Sequence, residues 1–224
     1  MNIKQLMKKH SSIMDIISTI YNILHLNNNW KHKRYNKIIY KGVFLNKVRL
    51  KIKGCNNTII IGRKARLNNC IITIIGDNCK LIIGEGSTII SNTSFWCQDN
   101  NSSIIIDKDF TMEGGHIAST EGASINIGEN CMFSEDIEIR NGDSHSIIDI
   151  TKNERINYAS SVNIGNNVWL TAHVRVLKGS AIPSNCIIGN SSVVSGILIY
   201  SNALYAGIPC KLIKENIIWD RYKI

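Results

Sequence analysis

An aliphatic residue that returns every six positions is the feature of this sequence that most restricts its fold. Five successive steps of six join Ile164, Leu170, Val176, Ile182, Ile188 and Val194. Ile-Gly pairs recur at Ile61-Gly62, Ile75-Gly76, Ile83-Gly84, Ile127-Gly128, Ile164-Gly165 and Ile188-Gly189. A sustained period of six is not the period of an α-helix, and it is typical of hexapeptide β-helix repeats.

Each six-residue unit is expected to form one flat side of a triangular coil, so about 18 residues complete a turn. The first position points inward, the second suits glycine because the corner is tight, and the fifth is a small inward residue. In the first half, Ile61, Ile83, Ile106 and Ile127 lie 21 to 23 residues apart. These spacings predict coils that carry a few extra residues.

The seven cysteines are odd in number and form no CxxC pair. This usage predicts a reducing, cytoplasmic environment and argues against a zinc ribbon. Cys79, Cys131 and Cys186 occupy small inward positions of the repeat, so we expect core residues rather than metal ligands or nucleophiles. No run of about 18 apolar residues is present, so no transmembrane helix is predicted, and the first residues lack a secretory signal pattern.

Residues 1–40 are interpreted as a basic N-terminal helical segment, and residues 41–224 as the β-helix domain. Residues 3–26 show helical periodicity, which suits packing on the main domain or lying on a membrane surface. Residues 1–66 contain 15 Lys and Arg and one acid, Asp15. This charge is either a solvated surface or a patch for a polyanion or an anionic membrane. Because the repeats begin later, removal of residues 1–37 is expected to leave the β-helix folded.

The repeat breaks at about residues 142–163, where the sequence is polar and out of register. A long polar excursion on a rigid scaffold is a common place for a functional site. His145 is the histidine of this segment, and Asp143 lies two residues before it. Another histidine, His116, lies about one coil earlier and either faces an acceptor or is structural.

Several motifs together resemble the hexapeptide-repeat acetyltransferases, and among them the O-acetyltransferases of bacterial capsule and O-antigen sugars of the sialic or polysialic acid type. The motifs are Ser144-His145 and residues 155–157, 164–170, 176–179 and 206–211. The resemblance covers about residues 55–219. It implies a mainly β fold, a left-handed parallel β-helix, a homotrimer, and acetyl-CoA as the acetyl donor.

The resemblance also implies roles for individual residues. His145 would be the general base that accepts the proton of the attacking hydroxyl, a task that suits a pKa near ~6.5. Asp143 would orient the imidazole, or would only form a turn after Gly142. Trp169 would line the donor and acceptor site, or would only pack.

The donor groove of the family runs along the C-terminal coils. The resemblance places its contacts at Ala172, Asn190 and Ser195, and its cations at Lys178, Lys211 and Lys214. Thr171 and Gly196 depart from the family pattern, and the departure at Gly196 removes one expected lysine contact.

The function predicted from these observations is direct acetyl transfer from acetyl-CoA to a hydroxyl of a bacterial surface carbohydrate, with no metal and no nucleic-acid partner. Two alternatives stay open. One is an acetyltransferase of the same fold that acts on an antibiotic or an amino sugar. The other is a non-catalytic β-helix that binds a polyanion through residues 31–66. The expected location is the cytoplasm, and peripheral contact with the inner face of the membrane through the basic N-terminal segment stays open.

Overall fold

Three parallel sheets enclose one aliphatic core and form a prism. The structure, a computed structural model, describes residues 3–25 and 35–223, with side chains for residues 13–25 and 35–223. Sheet A contains β1 (Lys37–Ile39), β4 (Thr58–Ile61), β7 (Lys80–Ile83), β10 (Ser103–Ile106), β13 (Ser124–Ile127), β18 (Val162–Ile164) and β21 (Ala181–Ile182). Sheet B contains β2 (Phe44–Asn46), β5 (Arg66–Asn68), β8 (Thr88–Ile89), β11 (Thr111–Met112), β14 (Met132–Phe133), β19 (Trp169–Leu170), β22 (Ile187–Ile188), β24 (Leu204–Ala206) and β25 (Lys211–Lys214). Sheet C contains β3 (Arg49–Lys53), β6 (Cys70–Ile75), β9 (Thr93–Gln98), β12 (Gly115–Ser119), β15 (Ile137–Arg140), β20 (Arg175–Val176) and β23 (Val193–Val194).

Each coil takes one strand from sheet A, then one from sheet B, then one from sheet C, which gives seven coils. Partner residues on neighbouring coils lie 22 positions apart at Thr58↔Lys80 and 18 apart at Asn163↔Ala181. The early coils are longer because their sheet C strands have up to six residues, as in β6 and β9. The predicted left-handed parallel β-helix is confirmed, and so are the longer coils of the first half.

The predicted inward positions form continuous ladders of buried side chains. The six aliphatic residues at steps of six are at most 4% exposed. Cys79, Cys131 and Cys186 are also buried, and burial raises the pKa of the Cys131 thiol to about 12. The fourth coil departs from the rule of a small fifth residue. Phe110 fills that position, and its ring packs edge-on against Phe133 with centroids 4.9 Å apart.

Asparagines build the corner between sheets A and B in the later coils. Asn130, Asn167 and Asn185 have positive φ, a conformation that asparagine tolerates better than most residues. Their side chains also bond from coil to coil. Asn130 donates to Asn167 at 2.9 Å, and Asn167 donates to Asn185 at 3.0 Å. We call this row the asparagine corner.

Helix α1 (Ile3–His25) packs on the first coil. Asn22 is buried between the two elements. Its Nδ2 donates to the Val43 carbonyl at 2.9 Å, and its Oδ1 accepts from the Leu45 amide at 2.8 Å. Asp15 pairs with Arg63 at 2.6 Å. The helix therefore satisfies polar groups of the first coil.

Strand β1 begins at Lys37, before position 41. Removal of residues 1–37 would take away α1 and the first residue of β1. That the shortened β-helix stays folded remains a prediction. Residue 26 and the basic residues Lys31, Lys33 and Arg34 lie outside the described residues. Within the described residues, no helix has the length and hydropathy needed to span a membrane.

Candidate active site

The polar segment between β15 and β18 leaves the prism at the corner between sheets C and A. We call residues 142–160 the active loop. Buried Asn141 holds both of its ends. The Asn141 carbonyl accepts from the Ser160 amide at 2.8 Å, and its side chain bonds Thr120 N and Ser119 Oγ, each at 2.9 Å. An antiparallel pair, β16 (Ile148–Asp149) and β17 (Glu154–Arg155), lies further along the loop.

Asn157 is the central hydrogen-bonding residue of the active loop, and it is only 5% exposed. Its Nδ2 donates to the His145 carbonyl at 2.7 Å and to Asp143 Oδ2 at 2.9 Å. Its Oδ1 accepts from the Ile147 amide at 2.7 Å. Asn157 therefore holds the backbone at His145 and Ile147, and it holds the side chain of Asp143 before them. From the sequence, Asn157 is visible only as part of the motif at residues 155–157, and no role is predicted for it.

Asp143 forms an ion pair with Lys178. The Lys178 ammonium, and then the Asn157 amide, hold the pKa of the Asp143 carboxyl below its ordinary value. Among the hydrogen bonds of the described residues, none joins Asp143 to the His145 imidazole. Asp143 thus ties the active loop to the sixth coil, and Lys178 lies at the base of the loop. An orienting role of Asp143 toward the imidazole remains a prediction.

A second ion pair ties the active loop to the preceding coil. Arg155 Nη2 lies 2.5 Å from Glu121 Oε1, and Glu121 Oε2 accepts from the Ala159 amide at 3.0 Å. Arg155 lowers the pKa of the Glu121 carboxyl. The guanidinium also lies 4.9 Å from the centre of the Tyr158 ring. With both pairs in place, the loop is fixed to coils above and below it.

A pocket of about 330 Å³ lies on the outer face of sheet C, next to the active loop. Its lining includes Trp96, Gln98, His116, Thr120, Arg140 and Ser144. Burial, and then the Arg140 charge, lower the pKa of His116. The side chains alternate along β9 and β12, so outward residues of successive coils line up in this pocket. His116 therefore faces the pocket, which favours the alternative in which it faces an acceptor. Trp96 and Arg140 also line the pocket, and the sequence did not predict them as site residues.

Trp169 lies far from the active loop within this chain. It is on sheet B, whereas the loop leaves at the corner opposite that sheet. His145 is three residues beyond Gly142, which limits its backbone to about 11 Å from that corner. Trp169 instead contacts Trp219, with ring centroids 5.9 Å apart. One chain does not bring the predicted base and the predicted tryptophan together.

The contact of Trp169 belongs to a segment that folds back along the asparagine corner, and we call residues 217–222 the tail segment. The Ile217 amide donates to the Asn202 carbonyl at 2.9 Å, and Trp219 Nε1 donates to the Asn167 carbonyl at 2.7 Å. Arg221 reaches Thr111 Oγ1 at 2.7 Å. The tail segment therefore extends from the last coil back to the fourth coil. Its role was not predicted from the sequence.

The predicted donor residues fall on two corners and one end of the prism. Ala172 and Asn190 are neighbours at the corner between sheets B and C, where the Ser191 amide donates to the Ala172 carbonyl at 3.0 Å. Ser195 follows β23 at the corner between sheets C and A. Lys211 and Lys214 are exposed on β25, which is antiparallel to β24. No group of His, Cys, Asp and Glu among the described residues is arranged to hold a metal ion.

Comparison with known proteins places this geometry in a family. No family model matches the chain. The chain is 36% identical over 177 residues to a polysialic acid O-acetyltransferase of Neisseria meningitidis, a match that covers 79% of this chain and 81% of the relative. It is 33% identical over 120 residues to a polysialic acid O-acetyltransferase of Escherichia coli O1:K1, covering 54% of this chain and 39% of that relative.

Solved structures agree with the sequence matches. The polysialic acid O-acetyltransferase OatWY superposes with a TM-score of 0.81 at 34% identity, covering 84% of this chain and 89% of OatWY. The polysialic-acid-specific acetyltransferase NeuO superposes with a TM-score of 0.74 at 29% identity, covering 84% of this chain and 77% of NeuO. The chain is an acyltransferase, and it belongs to the hexapeptide-repeat O-acetyltransferase family that includes the polysialic acid O-acetyltransferases.

Proposed function

We propose that this protein transfers the acetyl group of acetyl-CoA to a hydroxyl of a bacterial capsule carbohydrate that contains sialic acid. The observation that carries the proposal is the similarity to two polysialic acid O-acetyltransferases, since the longer match spans 79% of the chain. The active loop supports it, because Asn157 holds the His145 carbonyl and Ser144, the residue before His145, lines the pocket of about 330 Å³. Pockets of a few hundred Å³ with aromatic and polar lining are typical of small-molecule sites.

In this proposal His145 is the general base. Its imidazole accepts the proton of the sugar hydroxyl while that oxygen attacks the thioester carbonyl carbon of acetyl-CoA. The tetrahedral intermediate collapses, the carbon–sulfur bond breaks, and the thiolate leaves and takes up a proton. Transfer is direct. The buried Cys131 and Cys186 thiols have raised pKa values and support no acyl-enzyme step.

We place the acceptor in the pocket beside the active loop. Trp96 offers an apolar ring face, and Arg140 and His116 offer nitrogen donors. Arg140 already bonds Glu138, so its guanidinium is held at the pocket wall. A fixed guanidinium suits the carboxylate of a sialic acid, because it can donate two parallel hydrogen bonds.

The site is completed, in this proposal, by a neighbouring copy in a homotrimer. The active loop and Trp169 lie on different sides of one prism. A copy packed beside the loop would present its own sheet B, with Trp169, to His145. Ala172, Asn190, Ser195 and the cations Lys211 and Lys214 then contribute to the donor groove, where ammonium groups attract the coenzyme A phosphates.

The proposed function is tested by thiol release from acetyl-CoA with three acceptors: a sialic acid polymer, a neutral polysaccharide and an amino sugar. We expect release with the sialic acid polymer and none above background with the neutral polysaccharide. Release with the amino sugar alone would support the amine-acetylating alternative. No release with any acceptor, together with no binding of acetyl-CoA, would support the non-catalytic alternative.

The hydrogen bonds of Asn157 lead to a further prediction. Asn157→Ala removes the donors to the His145 carbonyl and to Asp143, so the loop no longer holds His145 in one place. Misplacement of a catalytic group by about 1 Å can cost on the order of 10²-fold in rate. We expect kcat to fall by about 10- to 100-fold while the KM for acetyl-CoA changes little, measured by steady-state thiol release.

The matched control is Asn163→Ala, because Asn163 is an exposed asparagine of sheet A whose side chain accepts a hydrogen bond from Asn126, away from the active loop. It should keep the activity of the original protein. If Asn157→Ala also keeps its kcat, the loop does not depend on this residue and the positioning role is wrong.

A further inference from the structure

Helix α1 turns its polar face toward the β-helix and its apolar face toward solvent. Over residues 13–25, its contacts with the first coil come mainly from polar residues: Asp15 pairs with Arg63 and Lys41, and Asn22 bonds the backbone of Val43 and Leu45. Ser18, between them on the same face, is 1% exposed. Tyr21 adds an aromatic contact at the edge of this face, with its ring centroid 5.5 Å from that of Phe44. A surface helix of a globular protein normally turns its apolar stripe toward the core. In α1 the polar stripe occupies that place.

The opposite face of α1 is aliphatic and open. Six side chains are between 44% and 74% exposed: Ile13, Ile16, Ile17, Ile20, Ile23 and Leu24. At 100° per residue they fall within an arc of about 120°. We call this arc the aliphatic stripe. A contiguous exposed apolar surface of this kind marks a place where something else binds.

A groove continues the aliphatic stripe onto the first coil. It has a volume of about 400 Å³ and lies between α1 and β1. Ile23, Ile38 and Ile39 form the apolar wall of the groove, and Lys41 also lines the groove. The stripe and the groove thus form one apolar surface at the end of the prism where the first coil begins.

The charge around this surface has one sign. Residues 16–76 contain no Asp or Glu and twelve Lys and Arg. Of the described cations, Lys41, Lys47, Arg49, Lys51 and Lys53 are exposed on the first coil. The nearest acid in the sequence, Asp15, is already paired with Lys41 and Arg63. Cations thus outnumber acids around the apolar surface, which therefore lies in a positive field.

We propose that α1 and the first coil bind the surface of an anionic lipid bilayer. The helix would lie in the plane of the interface, with the aliphatic stripe among the acyl chains and the lysines of the first coil at the headgroups. The charge decides between this occupant and a second copy of the chain. A second copy on the same face would place like charges against each other, whereas an anionic bilayer complements them.

The test is co-sedimentation of the purified protein with two kinds of vesicle, phosphatidylcholine alone and phosphatidylcholine mixed with phosphatidylglycerol. We expect binding to the mixed vesicles, little binding to phosphatidylcholine, and weaker binding as salt is raised. The double variant Ile16→Ser, Ile20→Ser should bind the mixed vesicles at least about tenfold more weakly, because it removes apolar surface from the stripe. The control is Ile90→Ser, Ile199→Ser, which changes two exposed isoleucines, 50% and 77% exposed, away from α1 and from the tail segment.

Two further readouts keep the outcomes distinct. Thiol release with a soluble acceptor, in the absence of vesicles, should be the same for the original protein and both double variants, which also verifies folding. The oligomeric mass from light scattering should not change. Absence of vesicle binding, or equal binding of all three proteins, would overturn the proposal. A fall in oligomeric mass for the stripe variant alone would assign the stripe to a second copy.

Discussion

Replacement of His145 by alanine is expected to lower kcat for acetyl transfer by about 10²- to 10⁴-fold, the usual loss when a general base is removed. The side chain is exposed on the active loop, so its removal leaves no cavity in the core. Its backbone carbonyl keeps the hydrogen bond from Asn157, since alanine retains the main chain. The loop should therefore stay in place, and affinity for acetyl-CoA should stay nearly intact.

The measurements are kcat by thiol release and the dissociation constant for acetyl-CoA by calorimetry. His173→Ala is the control, because His173 is also exposed but pairs with Asp136 on another part of the prism. It should remain active. A His145→Ala variant with unchanged kcat would remove His145 from the mechanism, whereas loss of acetyl-CoA binding would place His145 in the donor groove.

Two inactive variants are expected to restore activity to each other when they assemble together. His145→Ala and Trp169→Ala each lack one half of the proposed site. If His145 of one copy meets Trp169 of the next, random trimers from equal amounts of both chains contain about one quarter intact sites. Tandem purification through two different tags removes the two homotrimers, and every mixed trimer has one intact site out of three. The purified protein should therefore show about one third of the activity of the original protein.

The control is the same purification from cells that express two differently tagged copies of His145→Ala, which should remain inactive. Thermal melting of Trp169→Ala is needed beside it, because this change also removes the contact with Trp219. Mixed trimers no more active than either variant would mean that both residues act within one chain, and the proposal of a shared site would fail.

The β-helix was predictable because its stabilising contacts repeat. Each inward aliphatic residue meets the equivalent residue one coil away, so a fixed spacing along the sequence carries the three-dimensional arrangement. Ile164 and Leu170 are buried as the period predicts. The pattern predicted a small residue where Phe110 stands. The larger ring is accommodated by its edge-on contact with Phe133, which lies in another coil and so could not be read from the local repeat.

The break in the repeat was enough to locate the active loop in the sequence. It did not predict the hydrogen bonds and ion pairs within the loop. Two residues apart in sequence, Asp143 and His145 suggested a shared face. The carboxylate instead forms its ion pair with Lys178, which is 35 residues away. Short-range spacing carries no information about such a partner. The same reason hid Asn157, whose bonds cross the loop over 12 and 14 residues.

The N-terminal helix shows a different limit of sequence reasoning. Its periodicity correctly predicts a helix, and α1 does pack on the β-helix. Periodicity does not say which face turns inward. The backbone groups of Val43 and Leu45 at the end of the first coil need hydrogen-bond partners. The face of α1 that carries Asn22 therefore packs against the coil, because Asn22 supplies these partners.

The tail segment has a consequence for the order in which this enzyme is made. Trp169 leaves the ribosome fifty residues before Trp219, its ring partner. At about 5–20 residues per second, that interval is roughly 3–10 s. During it the first six coils can already stack on one another, while the Trp169 ring still faces water. A nascent chain would thus acquire its scaffold before its finished sheet B surface. The sites that we propose to be shared between copies would then form only once residues 219–221 had been synthesised.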